Sequence, residues 1–310
     1  MFDIGGHSSR SEVFNFLLSF KRIIMNSYDL YNSNSQIFKQ FILKDTLFVY
    51  YNCPQREKIL QLYSQHNQFL FTLSGKKIFS HGDDTFFATK NSTFLLKRSA
   101  FLQELPDDYT GFEVLVFYIK DHYLKTIFEE YRSYLPLKNL PGISENMFIQ
   151  FEVNEQIYSG YQSMIPYFER KNTVPDTILE ARFKELMFNI LTHPANRQVL
   201  SYIHNIADDV KTPIWEIMES NYMYNLKIAD YASLANRSMA AFKRDFEKHY
   251  QTSPGIWLIE RRMKRAKLLL ETSHKSIGDV AFETGFVNLS HFSRVFKNKT
   301  GLSPMEYRNQ

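Results

Sequence analysis

Arg244 and Arg294 lie fifty residues apart in the same local setting. Each is flanked by phenylalanines at i−2 and i+2: Phe242 and Phe246 around the first, Phe292 and Phe296 around the second. On a helix the phenylalanines fall on one stripe and take the buried side, which turns the arginine outward. A guanidinium so presented can donate two parallel hydrogen bonds to the major-groove edge of guanine, or clamp a phosphate. Ala240 and Lys243 share the outer face of the first stretch, with Lys248 further along; Ser290, Ser293 and Lys297 share that of the second, with Lys299 beyond. Hydroxyls and ammonium groups in such places hydrogen-bond base edges or neutralise phosphates. This is chemistry of recognition and needs no catalytic group.

Presenting these side chains requires helices in tight pairs. In SIGDVAFETGFVNLSHFSRVFKNKTGLSPMEYR (Ser276 to Arg308), Ser276 is expected to cap a helix containing Ile277, Val280 and Ala281. Gly285 supplies a turn of positive φ, and a second helix opens near Asn288 or Ser290. The small Ala281 lets the two helices cross closely. The same unit stands upstream: AFKRDFEKHYQTSP (Ala241 to Pro254) matches HFSRVFKNKTGLSP (His291 to Pro304), with Phe242, Arg244, Phe246, Ser253 and Pro254 recurring at an offset of 50. Ahead of the recognition helix the offset is 49, pairing Ala232 with Ala281 and Asn236 with Gly285. Asn is next to Gly in tolerating the left-handed conformation. The internal repeat points to two similar DNA-reading units in one chain.

These residues resemble the AraC/XylS family of bacterial transcription regulators, whose signature is two helix-turn-helix units bridged by a long helix. The resemblance is carried by Arg262, Ala266, Leu269 and Leu270 in the bridge, then by Ile277, Asp279, Val280, Ala281, Gly285, Phe286, Ser290, Phe292, Arg294, Phe296, Lys297, Gly301, Ser303, Pro304, Tyr307 and Arg308. It is strong over about Leu226 to Arg308. It implies that Ala240, Lys243 and Arg244, and in the second unit Ser290, Ser293, Arg294 and Lys297, face double-stranded DNA. Ala240 offers only a methyl group, so that position reads thymine or nothing. The bridge, about Gly255 to Glu271, has its stripe at Ile259, Met263, Ala266 and Leu270. Roughly 15 residues span about 22 Å, a spacer suited to successive major-groove faces. Arg261, Lys264, Arg265 and Lys267 are expected to face the DNA backbone, and Arg262 to tie the bridge to its flanking units. The resemblance further implies an activator, a homodimer formed through about Asp176 to Leu200, contact with RNA polymerase, and a small-molecule or protein effector that the sequence does not identify. It implies no cofactor, metal or catalytic residue.

Charge is divided along the chain. Residues 1–200 hold 21 Lys+Arg and 21 Asp+Glu, whereas from Asn225 onward the count is 15 against 8, a surplus of 7. A neutral region joined to a basic one suits a regulator whose tail meets phosphates. No apolar run reaches the ~20 residues that span a bilayer, and the N-terminus lacks a signal-peptide pattern, so a cytoplasmic location on the nucleoid is expected. Cys53 is the sole cysteine, which excludes an intrachain disulfide and a cysteine-based zinc site.

The fold class expected is α+β. Residues 11–28 carry mixed helical periodicity and are predicted to form a short helix. Residues 1–205 form a sensor and dimerisation domain, β-rich over about 36–120 and helical over about 121–205; residues 206–310 form the DNA-binding domain. Strands are predicted at Phe38–Tyr51, Lys58–Tyr63, Phe69–Leu73, Lys76–Ser80, Thr85–Thr89, Thr93–Leu96 and Glu113–Ile119, with Ser74-Gly75 as a hairpin turn. Family relatives carry a cupin-like β-barrel with flanking helices in this position. His66 and His81 have no acidic partner at ligand spacing and are expected to be surface or turn residues; the competing reading, a cupin-type metalloenzyme with a DNA-binding tail, needs a ligand cluster that is missing. The many aromatic residues are expected to pack as core. Helices are predicted from Asp121, over Phe148–Phe168, from a cap at Asp176 or Thr177 with Leu179, Phe183, Leu186, Met187 and Ile190 on one face, over Arg197–Asp209, and over Ile214–Tyr224 after a Thr212-Pro213 start.

Overall fold

The computed structural model describes residues 24–309 apart from 54, 56 and 171–173. The chain divides into two compact units at Lys211 and Thr212. Of the helix predicted over 11–28, residues 11–23 lie outside the described residues. Met25–Asn26 form a short strand (β1), and a helix (α1) runs Ser27–Asn32, its first turn capped by the Asn26 side chain, which accepts from the Tyr28 N–H.

The first unit is a curled β half-barrel backed by helices. Nine further strands follow among the described residues: β2 (Lys39–Leu43), β3 (Thr46–Asn52), β4 (Ile59–Ser64), β5 (Asn67–His81), β6 (Asp84–Thr89), β7 (Thr93–Leu96), β8 (Ser99–Glu104), β9 (Phe112–Ile119) and β10 (Phe148–Gln150). The main path runs β1-β4-β8-β5-β9-β3-β2, with β1 and β2 unpaired to each other. The expected barrel is therefore open. Its organiser is β5. The first half of β5 pairs with β7 and β9, the second half with β6 and β8, so one strand belongs to both sheets.

The predicted hairpin at Ser74-Gly75 is not formed. The register shifts between Thr72 and Ser74, Gly75 adopts φ +76°, and the strand bends and continues. Ser-Gly serves a bulge as readily as a turn, because both need a positive φ. Here the bend brings β5 onto the chain entering β9: a Cβ on Gly75 would stand 1.9 Å from the Gly111 carbonyl oxygen, which accepts from the Lys76 N–H at 3.1 Å. The single run predicted over Phe38–Tyr51 is in fact a hairpin, turned at Lys44 with φ +51°.

Phenylalanines line the sheet interior and pack on one another. Phe48, Phe69, Phe71 and Phe117 are fully buried and meet Phe151, just past the last strand, and Tyr161 and Phe183 from the helical layer. That layer comprises α2 (Asp121–Tyr131), α3 (Glu155–Met164), α4 (Tyr167–Arg170), α5 (Asp176–Thr192) and α6 (Arg197–Ala207). The helix predicted over Phe148–Phe168 is shorter than expected. Phe148–Gln150 pairs with β7 as a strand, and α3 opens only after Asn154, whose side chain accepts from the Ile157 N–H at 3.0 Å. α5 is capped by Pro175, not by Asp176 or Thr177, and its residues Leu179, Phe183, Leu186, Met187 and Ile190 are buried in the unit's own core. Ile178, Ala181, Arg182 and Glu185 are left outside.

His81 corrects the sequence reading and His66 does not. His81 is 6 % exposed, its Nδ1 2.6 Å from the Ala100 carbonyl oxygen, and burial pushes its pKa down. His66 is half-buried, edge-on to Tyr28, and is pushed down to about 4 by burial and by the charges of Lys120, Arg98 and His122. His81 is thus interior, whereas His66 lies in the turn between β4 and β5. Among the described residues no three His, Cys, Asp or Glu side chains converge as a metal site would require, and no helix is long and apolar enough to cross a membrane.

The second unit is all helical: α7 (Ile214–Asn221), α8 (Ile228–Leu234), α9 (Met239–Tyr250), α10 (Pro254–Thr272), α11 (Ile277–Glu283), α12 (Leu289–Thr300) and α13 (Pro304–Arg308). Pro213 is the N-cap of α7, one residue later than the predicted Thr212 cap.

Candidate nucleic-acid interface

The two turns are built by the same hydrogen bonds. In the first, the Asn236 N–H donates to the Ser233 carbonyl at 3.0 Å and the Arg237 N–H to Ala232 at 2.9 Å. In the second, the Gly285 N–H donates to Phe282 at 3.0 Å and the Phe286 N–H to Ala281 at 2.9 Å. Asn236 has φ +53° and Gly285 φ +80°, so the left-handed residue falls where the repeat predicts. The recognition helices then start on matching caps: the Ser238 hydroxyl accepts from the Ala241 N–H at 3.3 Å, and the Asn288 side chain from the His291 N–H at 2.9 Å. The second loop is one residue longer, which is why the offset grows from 49 to 50 here. The helices also end alike, on Gln251 with φ +53° and Gly301 with φ +85°. Ser253-Pro254 and Ser303-Pro304 then open the next helices.

Packing decides what is free. Phe242, Phe246, Phe292 and Phe296 are fully buried. Ala240, Lys243 and Arg244 stand exposed on α9, and Ser290, Arg294 and Lys297 on α12; Ser293 is half-buried. The Arg244 side chain is 75 % exposed and lies 3.3 Å from the Asp245 carboxylate, an ion pair weak enough in solvent to be exchanged for another anion. Lys243, Arg294 and Lys297 make no ion pair among the described residues. Four cations face out from two equivalent helix faces, flanked by small side chains that let a partner approach.

α10 joins the units. Its 19 residues span roughly 28 Å at about 1.5 Å each, and Met263, Ala266 and Leu270 enter the core of the second unit with Val280, Ala281, Phe292 and Phe296. Arg262 is 7 % exposed. Its Nε donates to the Tyr222 carbonyl at 2.8 Å and its Nη2 to Tyr224 at 2.6 Å, ahead of the first helix-turn-helix. The same guanidinium lies against Gly285 and near the Phe286 ring of the second. It has the tying role expected of it. Burial lowers its pKa, opposed by the hydroxyl of Tyr231. Two of the other bridge cations are engaged within the unit. Arg261 donates to Glu219 at 2.7 Å and stacks on Tyr222, and Lys267 lies over Tyr307. Lys299 is 3.5 Å from Glu260. Arg261, Lys264 and Arg265 stand at i, i+3 and i+4 and so share one side of α10, with Lys264 exposed.

Sequence reasoning passed over two exposed apolar side chains, Met239 and Leu289, which hold the first position of each recognition helix. Their signal was the repeat itself, since they too are fifty residues apart.

Residues 231–310 match the helix-turn-helix domain family of this kind, and residues 67–202 match the ExsA N-terminal regulatory domain family. The chain thus carries an AraC-type helix-turn-helix domain and an ExsA-type N-terminal regulatory domain. It is a DNA-binding transcription regulator with an N-terminal regulatory region. Among relatives, the virulence regulon transcriptional activator VirF of Yersinia enterocolitica is 24 % identical over 186 residues, 60 % of this chain and 68 % of that protein. The HTH-type transcriptional regulator ExsA of Pseudomonas aeruginosa is 27 % identical over 134 residues, 43 % of this chain and 48 % of that protein. The crystal structure of ToxT from Vibrio cholerae is 19 % identical, with 86 % of this chain and 98 % of that one covered and a TM-score of 0.40.

Proposed function

We propose that this regulator activates transcription by setting α9 and α12 into successive major-groove faces of one duplex. Arg244 and Lys243 read base edges in the first block, beside the methyl group of Ala240. Ser290, Ser293 and Arg294 do so in the second, with Lys297 on phosphate. The observation that carries this reading is the duplicated helix-turn-helix, which repeats the turn at an offset of 49 and the cap and outward arginine at an offset of 50. The relatives named as activators support the sign of regulation. The chain acts as a cytoplasmic, non-enzymatic protein; its N-terminal unit senses a small molecule or a protein partner and contributes the dimer contact within 176–200, and RNA polymerase is met at the promoter.

The test is selection of bound sequences from random duplex DNA by the full-length chain at about 150 mM salt, where non-specific binding is suppressed. The expected result is a motif of two fixed blocks about one helical turn apart. Arg244→Ala should cost about 1–3 kcal/mol on the selected duplex with little change on random DNA. Equal losses on both would make the tail an architectural binder and overturn sequence reading.

A further inference from the structure

Met239 is 37 % exposed and Leu289 44 % exposed, both large apolar side chains on otherwise polar helix faces. One such residue on a protein surface carries no information. Two at the same register of a repeated recognition unit do. Each is the first residue of its helix. Because side chains tilt toward the helix N-terminus, a residue there projects beyond the helix end, and that is the end of a recognition helix that meets base edges. Each also lies four residues before a residue of the outward polar face, Lys243 in one case and Ser293 in the other, and so shares that face with it.

The setting selects the occupant. Exposed Lys243 and Arg244 follow Met239 on α9, and exposed Arg294 and Lys297 follow Leu289 on α12, which favours a polyanion over an apolar protein surface. Within the major groove of a polyanionic duplex the apolar group on offer is the C5 methyl of thymine. We propose that Met239 and Leu289 each read a thymine, packing against its methyl group in the first and second blocks respectively. This rests on the reading of α9 and α12 as major-groove helices. It adds an apolar term to a contact set otherwise made of hydrogen bonds and charge, and it gives the first unit a thymine reader longer than Ala240.

The probe is the duplex recovered by selection, with each thymine replaced in turn by deoxyuridine, which removes the methyl and leaves base pairing intact. Wild-type protein should bind about fourfold more weakly at one thymine in each block, the value of one buried methyl. In Leu289→Ala the second-block penalty should vanish while the first-block penalty stays; Met239→Ala should do the reverse. Deoxyuridine tolerated at every position, blocks without thymine, or penalties unchanged in the variants would each overturn the proposal. If in that case Arg244→Ala still loses affinity for the selected duplex but not for random DNA, the major-groove reading survives and only the thymine assignment falls. Failure to recover any motif overturns both.

Discussion

Arg262 makes two charge-assisted hydrogen bonds to backbone carbonyls in a site where water cannot replace it. Lysine keeps the charge but lacks the planar fork that reaches both acceptors at once. Arg262→Lys is therefore expected to lower stability by about 3 kcal/mol, one orphaned carbonyl plus imperfect packing; thermal melting of the full-length chain measures it, and a wild-type melt would contradict the tying role. This residue was legible because family resemblance and the helical count agreed. His81 and Lys77 were not. In the second half of β5, Lys77, Phe79 and His81 alternate with Lys76, Ile78 and Ser80, and only the former set is buried. The sequence shows the alternation but not which face turns inward, since each set mixes polar with apolar. Lys77 ends beside Cys53, Nζ to Sγ 3.0 Å, and over the Phe112 ring. For His66 the consequence is a pH dependence. Its ordinary value of 6.5 holds in the unfolded chain, and about 4 in the fold. Between these limits the unfolded state binds a proton that the folded state refuses, so stability is full above pH 6.5 and falls as the pH drops toward 4. Denaturant titrations across that window should show a shallower fall for His66→Gln; an unchanged slope would mean that His81 and the carboxylates carry all of it.

At the scale of elements, the helix-turn-helix pairs were readable to within a residue or two because turn, cap and core each leave a local signature. The half-barrel was less so. β8 and the three-residue β10 are too short or too mixed to show period-two alternation, and Ser74-Gly75 was ambiguous between hairpin and bulge until the neighbouring strands were known. The two turns of the DNA-binding unit separate conformation from packing. Asn236 and Gly285 hold the same left-handed geometry, but only at Gly285 would a Cβ fall 2.9 Å from the Arg262 guanidinium. Asn236→Gly should thus change stability by less than about 1 kcal/mol. Gly285→Asn, the side chain best able to tolerate that φ, should cost about 2–3 kcal/mol, chiefly by displacing a buried group. Urea unfolding of both variants checks this; equal effects would show that Arg262 moves aside freely.

At the scale of the whole molecule, the partition of charge was plain in the sequence, and the helix assigned to dimerisation was also found as a helix. The apolar stripe of α5, with Leu179, Phe183 and Leu186, is committed to the unit's own core. A dimer through 176–200 must use the opposite face, with Ile178 46 % exposed beside Ala181, Arg182 and Glu185. Sedimentation over a concentration series is expected to show a dimer at micromolar concentration, weakened by Ile178→Asp; a strict monomer there would remove the interface. Within the same unit, the strand common to both sheets sets how the region can breathe. The amide protons of β5 are locked on one edge by β7 and β6 and on the other by β9 and β8, so neither sheet can peel away and leave the other intact. Solvent deuterium reaches the middle of β5 only when the half-barrel opens as a whole, and a signal that loosens one sheet is felt at once by the other.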